Sequence, residues 1–244
     1  MNQERVESIR HNLSAVLARI NQAAVSAGRD PSHTRLVVVT KAQPVEVVAA
    51  VAAAGAALLG ENYPEETLPK IQALAGTANI EWHMIGHLQS RKAVIVAEYF
   101  NMLQSLDSLK LAQRLDRLLV ERGRVLPALL EVNVSGEASK FGWTAWDESN
   151  WDALLPEVEQ IMQLRGLAVR GLMTMPPLYD DPEQTRPYFS KLRRLAEFLS
   201  KRFGNEHFQE LSMGTSADFE AAVQEGATLV RIGTAIVGPR PPKS

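Results

Sequence analysis

The chain has 244 residues, 45% hydrophobic and 22% charged, and its 26 basic against 28 acidic residues leave a formal net charge of −2. That balance excludes a broad electrostatic attraction to nucleic acid or to an acidic membrane. Cysteine is absent, which excludes disulfides, thiolate-bound metal and thiol nucleophiles.

The N-terminus, MNQERVESIRHNL, is polar and mixed in charge and lacks the apolar core of a secretory signal. No apolar run reaches the roughly 18 residues of a membrane span. The expected location is cytoplasmic. Val6, Ile9, Leu13, Leu17, Ile20 and Ala24 recur at three- and four-residue spacing and predict an amphipathic helix that ends near Gly28 and Pro31.

A βα alternation follows. RLVVVT (35–40) predicts a strand, and PVEVVAAVAAAG (44–55) a helix with Pro44 in its first turn and Gly55 at its end. ALLGE (57–61) is strand-like, and the short helix from about Pro64 is expected to be disturbed near Pro69. EWHMIG (81–86) and YFNMLQS (99–105) are strands separated by the helical RKAVIVAE. The helix over 108–123 has Ser108 as its cap and Gly123 as its stop. PALLEVNV (127–134) is a strand that leads into the polar loop SGEASKFGWTAWDESN, and a helix over about 151–163 comes next. GLAVRGLMT (166–174) is a strand, a proline-rich βα loop follows, and a helix runs from about 184 to 203. FQELSM (208–213), the Ser216-capped helix SADFEAAVQEG (216–226) and ATLVRIG (227–233) complete the pattern.

Eight strands that are apolar nearly throughout, alternating with helices, predict an α/β fold with a parallel sheet covered on both faces. Eight units behind one extra helix favour a single-domain (β/α)8 TIM barrel over an open sheet, with the domain spanning 1–244 and its core about 5–240.

In such a barrel, chemistry collects at the C-terminal strand ends. Lys41 ends strand one, Asn62 follows strand two, and Arg231, Gly233 and Thr234 close strand eight. LSMGTSADFE contributes Ser212, Met213, Gly214 and Ser216 at a strand-to-helix junction of small and hydroxyl residues, which suits an anion; the plainer reading, that Ser216 only caps its helix, stays open. Strands seven and eight are neighbours, and that pair of loops is where barrels often hold phosphate. Partial burial and a nearby cation lower a lysine's pKa and free its amine to form an imine. An imine-forming lysine, a phosphate cradle and an arginine between them point to pyridoxal 5′-phosphate, with Lys41 meeting the aldehyde and Arg231 the ring nitrogen. A cofactor-free Schiff-base aldolase acting on a sugar phosphate fits the same pattern.

The blocks VVVTKAQP, GENYPEE, IEWHMIGHLQSRK, SLDSLKLA, LEVNVSGEASKFG, GLMTM and LSMGTSADFEAAVQEGATLVRIGTAIVG resemble, in order and spacing, the pyridoxal phosphate homeostasis protein family. The resemblance runs from about residue 5 to residue 240. It implies a fold-type III barrel similar to the N-terminal domain of alanine racemase, with the imine on Lys41, Asn62 near the cofactor ring, and cofactor contacts from Ser212, Met213, Gly214, Ser216, Arg231, Gly233 and Thr234. It also implies a role in vitamin B6 homeostasis and amino- and keto-acid balance, with no well-established reaction. A racemase needs a second acid/base on the opposite face of its substrate, which in alanine racemase comes from a second domain of a partner chain. Holding or delivering the cofactor is therefore expected ahead of turnover, and a racemase-like enzyme is the alternative. The expected partners are PLP and PLP-dependent apo-enzymes that receive it, with no nucleic acid, no membrane and a monomeric state. The chain departs from the family pattern at Thr40, Ala42, Gln43, Pro64 and Thr215, none of which removes an implied contact.

Four other features carry plainer readings. His83, in an apolar strand, is expected to be a hydrogen-bonded core residue, while His87 at the rim is an acid/base candidate. The basic helix stretch with Lys191, Arg193, Arg194, Lys201 and Arg202 reads as a solvated face, with docking to an acidic partner as its alternative. Lys140 reads as a solvated loop lysine, with transit binding of the cofactor as its alternative. No His/Asp/Glu cluster has metal-ligand spacing.

Overall fold

The structure, a computed structural model, describes residues 2–76 and 80–239. Position 1 and positions 240–244 of the expected domain lie outside the described residues.

The chain opens with α1 (Gln3–Ser26), capped by the Asn2 side chain, which accepts the Arg5 N–H at 3.2 Å. Its buried stripe is Val6, Ile9, Leu13, Val16, Ile20, Ala23 and Ala24. Leu17, expected in that stripe, is instead 40% exposed. Val16 and Leu17 both continue the helical spacing from Leu13, and the neighbours of α1 select Val16.

The βα units follow as β1 (Arg35–Val39), α2 (Val45–Ala53), β2 (Leu58–Glu61), α3 (Pro64–Ala73), β3 (Glu81–Met84), α4 (Ala93–Tyr99), β4 (Met102–Leu106), α5 (Leu109–Glu121) and β5 (Leu126–Asn133). The long loop after β5 contains the two-residue β6 (Trp143–Thr144), and then come α6 (Leu155–Met162), β7 (Leu167–Met173), α7 (Arg186–Phe203), β8 (Glu210–Ser212), α8 (Phe219–Gln224), β9 (Leu229–Ile232) and the one-turn α9 (Thr234–Val237). The helix α3 runs through Pro69 without a break, although Pro69 donates no backbone bond of its own. Tyr99 ends α4 and does not begin β4.

The sheet order is β4-β3-β2-β1-β9-β8-β7-β5-β6, and a further β4–β5 pairing closes eight parallel strands into a barrel. The small β6 only extends β5 at its C-terminal end, pairing Val132 with Trp143. Arg35 to Val38 pair with Leu229 to Ile232, so β1 and β9 meet in register and bring Lys41 and Arg231 to one part of the mouth. Alternate residues of each strand face inward. Val37, Met102, Leu129, Met173 and Leu229 form a compact apolar layer inside the barrel, separate from the larger core between the strands and the helices.

Against an apolar interior a side chain at a strand's C-terminal end has polar company only at the mouth. The inward face therefore changes from Leu229 to Arg231 along β9 and from Met102 to Gln104 along β4. Among the described residues no helix is long and apolar enough to cross a membrane.

Candidate cofactor site at the barrel mouth

Lys41 follows β1 in a tight turn, Thr40–Lys41–Ala42–Gln43, closed by the Gln43 N–H donating to the Thr40 carbonyl at 3.1 Å. Ala42 has a φ of 59°, left-handed backbone that glycine adopts more readily than alanine. Lys41 lines a cavity of about 440 Å³, together with Asn62, Ser216, Arg231, Gly233 and Thr234. Six of the nine expected site residues thus share one cavity.

The other three stand behind its wall. Ser212 is fully buried, receives the Arg231 Nη1 hydrogen bond and donates to Gln104 Oε1 at 2.6 Å. Met213 faces the outer core, and its N–H bonds the Leu229 carbonyl at 3.1 Å. Gly214 has a φ of 90°, and a Cβ there would stand 2.6 Å from that of Ala222, so glycine lets the 214–217 loop fold onto α8. The expected Ser216 cap is not formed. Asp218 occupies the position before α8, and its carboxylate accepts the Thr215 N–H at 2.6 Å and the Thr215 hydroxyl at 2.9 Å. The loop is tied back through Thr215, which leaves the Ser216 side chain on the cavity wall.

Arg231 is a buried cation among neutral acceptors. Its Nη2 donates to the Thr174 carbonyl and to the Met175 sulfur, both at 2.9 Å. Among the described residues it has no carboxylate within ion-pair distance. Burial pushes its pKa down to about 10, opposed by the charges of Asp218 and Glu131, so it remains protonated at neutral pH. Behind it a polar chain crosses the barrel: Ser212 joins Gln104, and Gln104 Nε2 meets His83 Nδ1 at 2.8 Å. His83 is 1% exposed, and burial holds its pKa near 4 with a smaller push from Arg35. A neutral imidazole accepting from Gln104 ends this buried chain, in line with the core reading of this histidine.

A second cavity of about 420 Å³ shares Asn62, Ile85, Lys140 and Met175 with the first. His87 stands there, its Nδ1 2.8 Å from Asp107 Oδ2 and its ring stacked on Phe141 at 4.0 Å. Glu131 lines the same space and is 8% exposed; burial and repulsion from Asp107 push its pKa up to about 7, opposed by Arg231. Lys140 is 3.8 Å from Glu137 and reaches both cavities. The basic stretch of α7 is largely engaged: Lys191 donates to the Trp146 carbonyl, and Arg193 and Arg194 pair with Glu197, Glu225 and Glu148. Among the described residues no group of three His, Asp or Glu side chains is placed to hold a metal ion.

The donor set fits an aldehyde-bearing phosphate cofactor. Asn62 Oδ1 is buried without a hydrogen-bond partner among the described residues, and Gly86 packs so closely that a Cβ there would lie 2.7 Å from Asn62 Cγ. Gly233 similarly sits against Val39, where a Cβ would meet the Val39 carbonyl at 3.2 Å. Glycines thus let the backbone pack closely against Asn62 and against Val39. Sequence reasoning missed Lys70 of α3, which lies beneath this wall, 5% exposed and 2.7 Å from Glu61. Thr67, Lys70 and Leu74 share one helical face, and only the structure shows that all three are buried.

Residues 6–241 match the family model described as "Alanine racemase, N-terminal domain". The chain is 43% identical over 239 residues to the pyridoxal phosphate homeostasis protein of Pseudomonas aeruginosa, covering 96% of this chain and 97% of the relative. It is 36% identical over 237 residues to that of Escherichia coli, covering 96% and 98%. PipY of Synechococcus elongatus, solved with PLP bound, superposes with a TM-score of 0.79 at 33% identity, covering 94% of this chain and all of PipY. A Clostridium difficile alanine racemase shares the fold at a TM-score of 0.68 and 16% identity, with 98% of this chain matching 58% of the racemase.

Proposed function

The chain belongs to the pyridoxal phosphate homeostasis protein family, and from that premise we propose that it holds pyridoxal 5′-phosphate on Lys41 as a carrier, without turnover. The observation that carries the reading is the single cavity shared by Lys41, Asn62, Ser216, Arg231, Gly233 and Thr234. PipY, a relative of essentially the same length, is described with PLP bound. When bound, the cofactor supplies an aldehyde that an amine can hold and a ring that can take up electron density.

Each residue has a part in holding it. Lys41 supplies the amine. The Ser216 and Thr234 hydroxyls, with the backbone at Gly233, offer donors to a phosphate from the adjacent β8 and β9 loops. Asn62 presents an amide at the other side. Arg231 stays cationic, so it would donate a hydrogen bond to an acceptor atom placed against it and would disfavour that atom's protonation. The cofactor's recipients are PLP-dependent apo-enzymes, and the chain works as a monomer in the cytoplasm.

The test is near-visible absorbance of the purified protein, before and after borohydride, with peptide mapping. Wild type is expected to be yellow, to bleach, and to carry the label on Lys41, and Lys41→Ala to lose that label. A colourless protein that added PLP leaves colourless would overturn the reading and favour a cofactor-free aldolase. The racemase-like alternative draws on Glu131 and on the His87–Asp107 pair in the adjoining cavity as acid/base groups. Solvent deuterium entering the α-carbon of an amino acid at a catalytic rate would establish it in place of the carrier.

A further inference from the structure

Beneath the Lys41 turn lies a buried polar triad that the cavity wall does not use. Lys70 Nζ of α3 donates to Glu61 Oε1 at 2.7 Å and to the Thr40 carbonyl at 3.1 Å. The Thr40 hydroxyl donates to the same Glu61 oxygen at 2.8 Å. The Lys70 and Glu61 side chains are 6% and 0% exposed. An ion pair this deep gains little net stability over apolar side chains of the same volume, so its presence calls for a role other than adhesion. Glu61 Oε2 is buried with no hydrogen-bond partner among the described residues, a further sign that the pair is not optimised for stability.

Two of the three contacts end on Thr40, and the third joins their far ends. The Thr40 carbonyl that receives Lys70 is also the acceptor that closes the turn, taking the Gln43 N–H at 3.1 Å. Inside that turn sit Lys41 and Ala42, the latter in left-handed backbone. A strained turn persists only where its surroundings over-determine it. Here the surroundings are the Lys70 ammonium on the carbonyl and the Glu61 carboxylate on the hydroxyl of the same threonine. Glu61 also immediately precedes Asn62, so the pair anchors both cavity walls that flank the amine.

We propose that Lys70, with Glu61, is a positioning residue that holds the Thr40–Gln43 turn in its strained form and so aims the Lys41 amine into the cavity. The inference rests on the carrier reading for its purpose, but its geometry can be tested with no cofactor present. A mere structural brace between α3 and the barrel would alter stability alone. A positioning role alters the reactivity of Lys41, and relieving the strain in the turn restores it.

The experiment compares wild type, Lys70→Met, Ala42→Gly and the double variant as full chains, at a temperature where each is folded. Two quantities are read: amide exchange at Gln43 in cofactor-free protein, and the rate of borohydride-trapped labelling of Lys41 by PLP. Lys70→Met is expected to speed Gln43 exchange and to slow labelling by roughly tenfold or more, since small misplacements of a reacting group are costly. Adding Ala42→Gly is expected to recover most of the labelling rate while leaving the melting temperature low. Labelling at the wild-type rate in Lys70→Met, or a double variant as slow as the single, would overturn the proposal. If Lys70→Met does not fold, Thr40→Val and Glu61→Gln decide, because the first removes the hydroxyl contact to Glu61 and the second removes the carboxylate charge that holds Lys70, and each keeps the side-chain shape. Slowed labelling that Ala42→Gly rescues supports the proposal, and unchanged labelling overturns it. If wild-type Lys41 takes no label at all, the carrier reading fails, while Gln43 exchange still reports whether Lys70 holds the turn.

Discussion

Glu61 and Glu131 are both carboxylates buried toward the C-terminal ends of barrel strands, on β2 and β5, and the fold accommodates them by different means. Glu61 has a buried lysine at 2.7 Å and a threonine hydroxyl at 2.8 Å. Burial still raises its pKa above the ordinary value, with Lys70 pulling the other way. Among the described residues Glu131 has no such partner: its Oε2 is unpaired, and burial and repulsion from Asp107 push its pKa up to about 7. A carboxylate removed from water must either gain a counter-charge or keep its proton. The first solution makes a rigid anchor under Lys41. The second leaves a titrating group beside the adjoining cavity.

The comparison breaks most sharply at Lys70. Lys70→Met strands the Glu61 charge and is expected to cost about 3–5 kcal/mol at neutral pH, read as a lower denaturant midpoint. Adding Glu61→Leu should recover much of that loss, because the buried charge goes with its partner.

Glu131 should respond in the opposite direction. A carboxyl raised from 4.5 to about 7 on folding is protonated in the native state while the unfolded chain has lost its proton. Its contribution is therefore present at low pH and is lost as pH rises from 4.5 through about 7. Glu131→Gln should abolish that decline and stabilise the protein at pH above about 8 by roughly 3 kcal/mol, with little effect at pH about 4. Melting temperatures across pH test this, and a wild-type-like slope in the variant would show that Glu131 keeps its charge.

His83 sharpens the contrast, as a buried base held neutral. Its pKa falls from 6.5 to about 4 on folding, so the unfolded state binds the proton first. Stability is expected to fall as pH drops from 6.5 to 4, by up to about 3 kcal/mol, and His83→Gln should flatten that acid limb. The hydrogen bond lost to Gln104 lowers the plateau of that variant by about 1 kcal/mol.

The smallest effect belongs to Ala42→Gly. Relief of left-handed strain and the extra freedom of an unfolded glycine nearly cancel, so the stability change is expected within about 1 kcal/mol. Its value is diagnostic, because the rescue of Lys70→Met depends on it.

Much of the fold was legible along the chain, for reasons visible at particular residues. Gly55, Gly123 and Gly226 end helices where expected, with φ of 106°, 61° and 111°. Ser108 caps α5 as expected, accepting the Leu111 N–H at 3.4 Å. The cap of α8 was not legible, because Ser216 and Asp218 are both good cap residues within one short loop. The fold of the Gly214 loop puts Asp218 before α8 and turns its carboxylate back to Thr215, so neither side chain caps the helix. For the candidate site, the strand ends could be placed from the pattern alone, and the residues named there line or back one cavity. The Lys70–Glu61 pair could not be, because the turn after β2 and the first part of α3 separate two side chains that meet only when α3 packs back on the barrel.

By itself the sequence determined the βα alternation, the eight-strand count and the placing of Lys41 and Arg231 at strand ends. Those follow from local periodicity and from glycine and proline punctuation, which each segment carries alone. Tertiary structure alone decided which charges are buried together, which carboxyl keeps its proton and which threonine holds the lysine turn. Desolvation and pairing depend on distances between segments far apart in the chain, and those distances exist only once the barrel has closed.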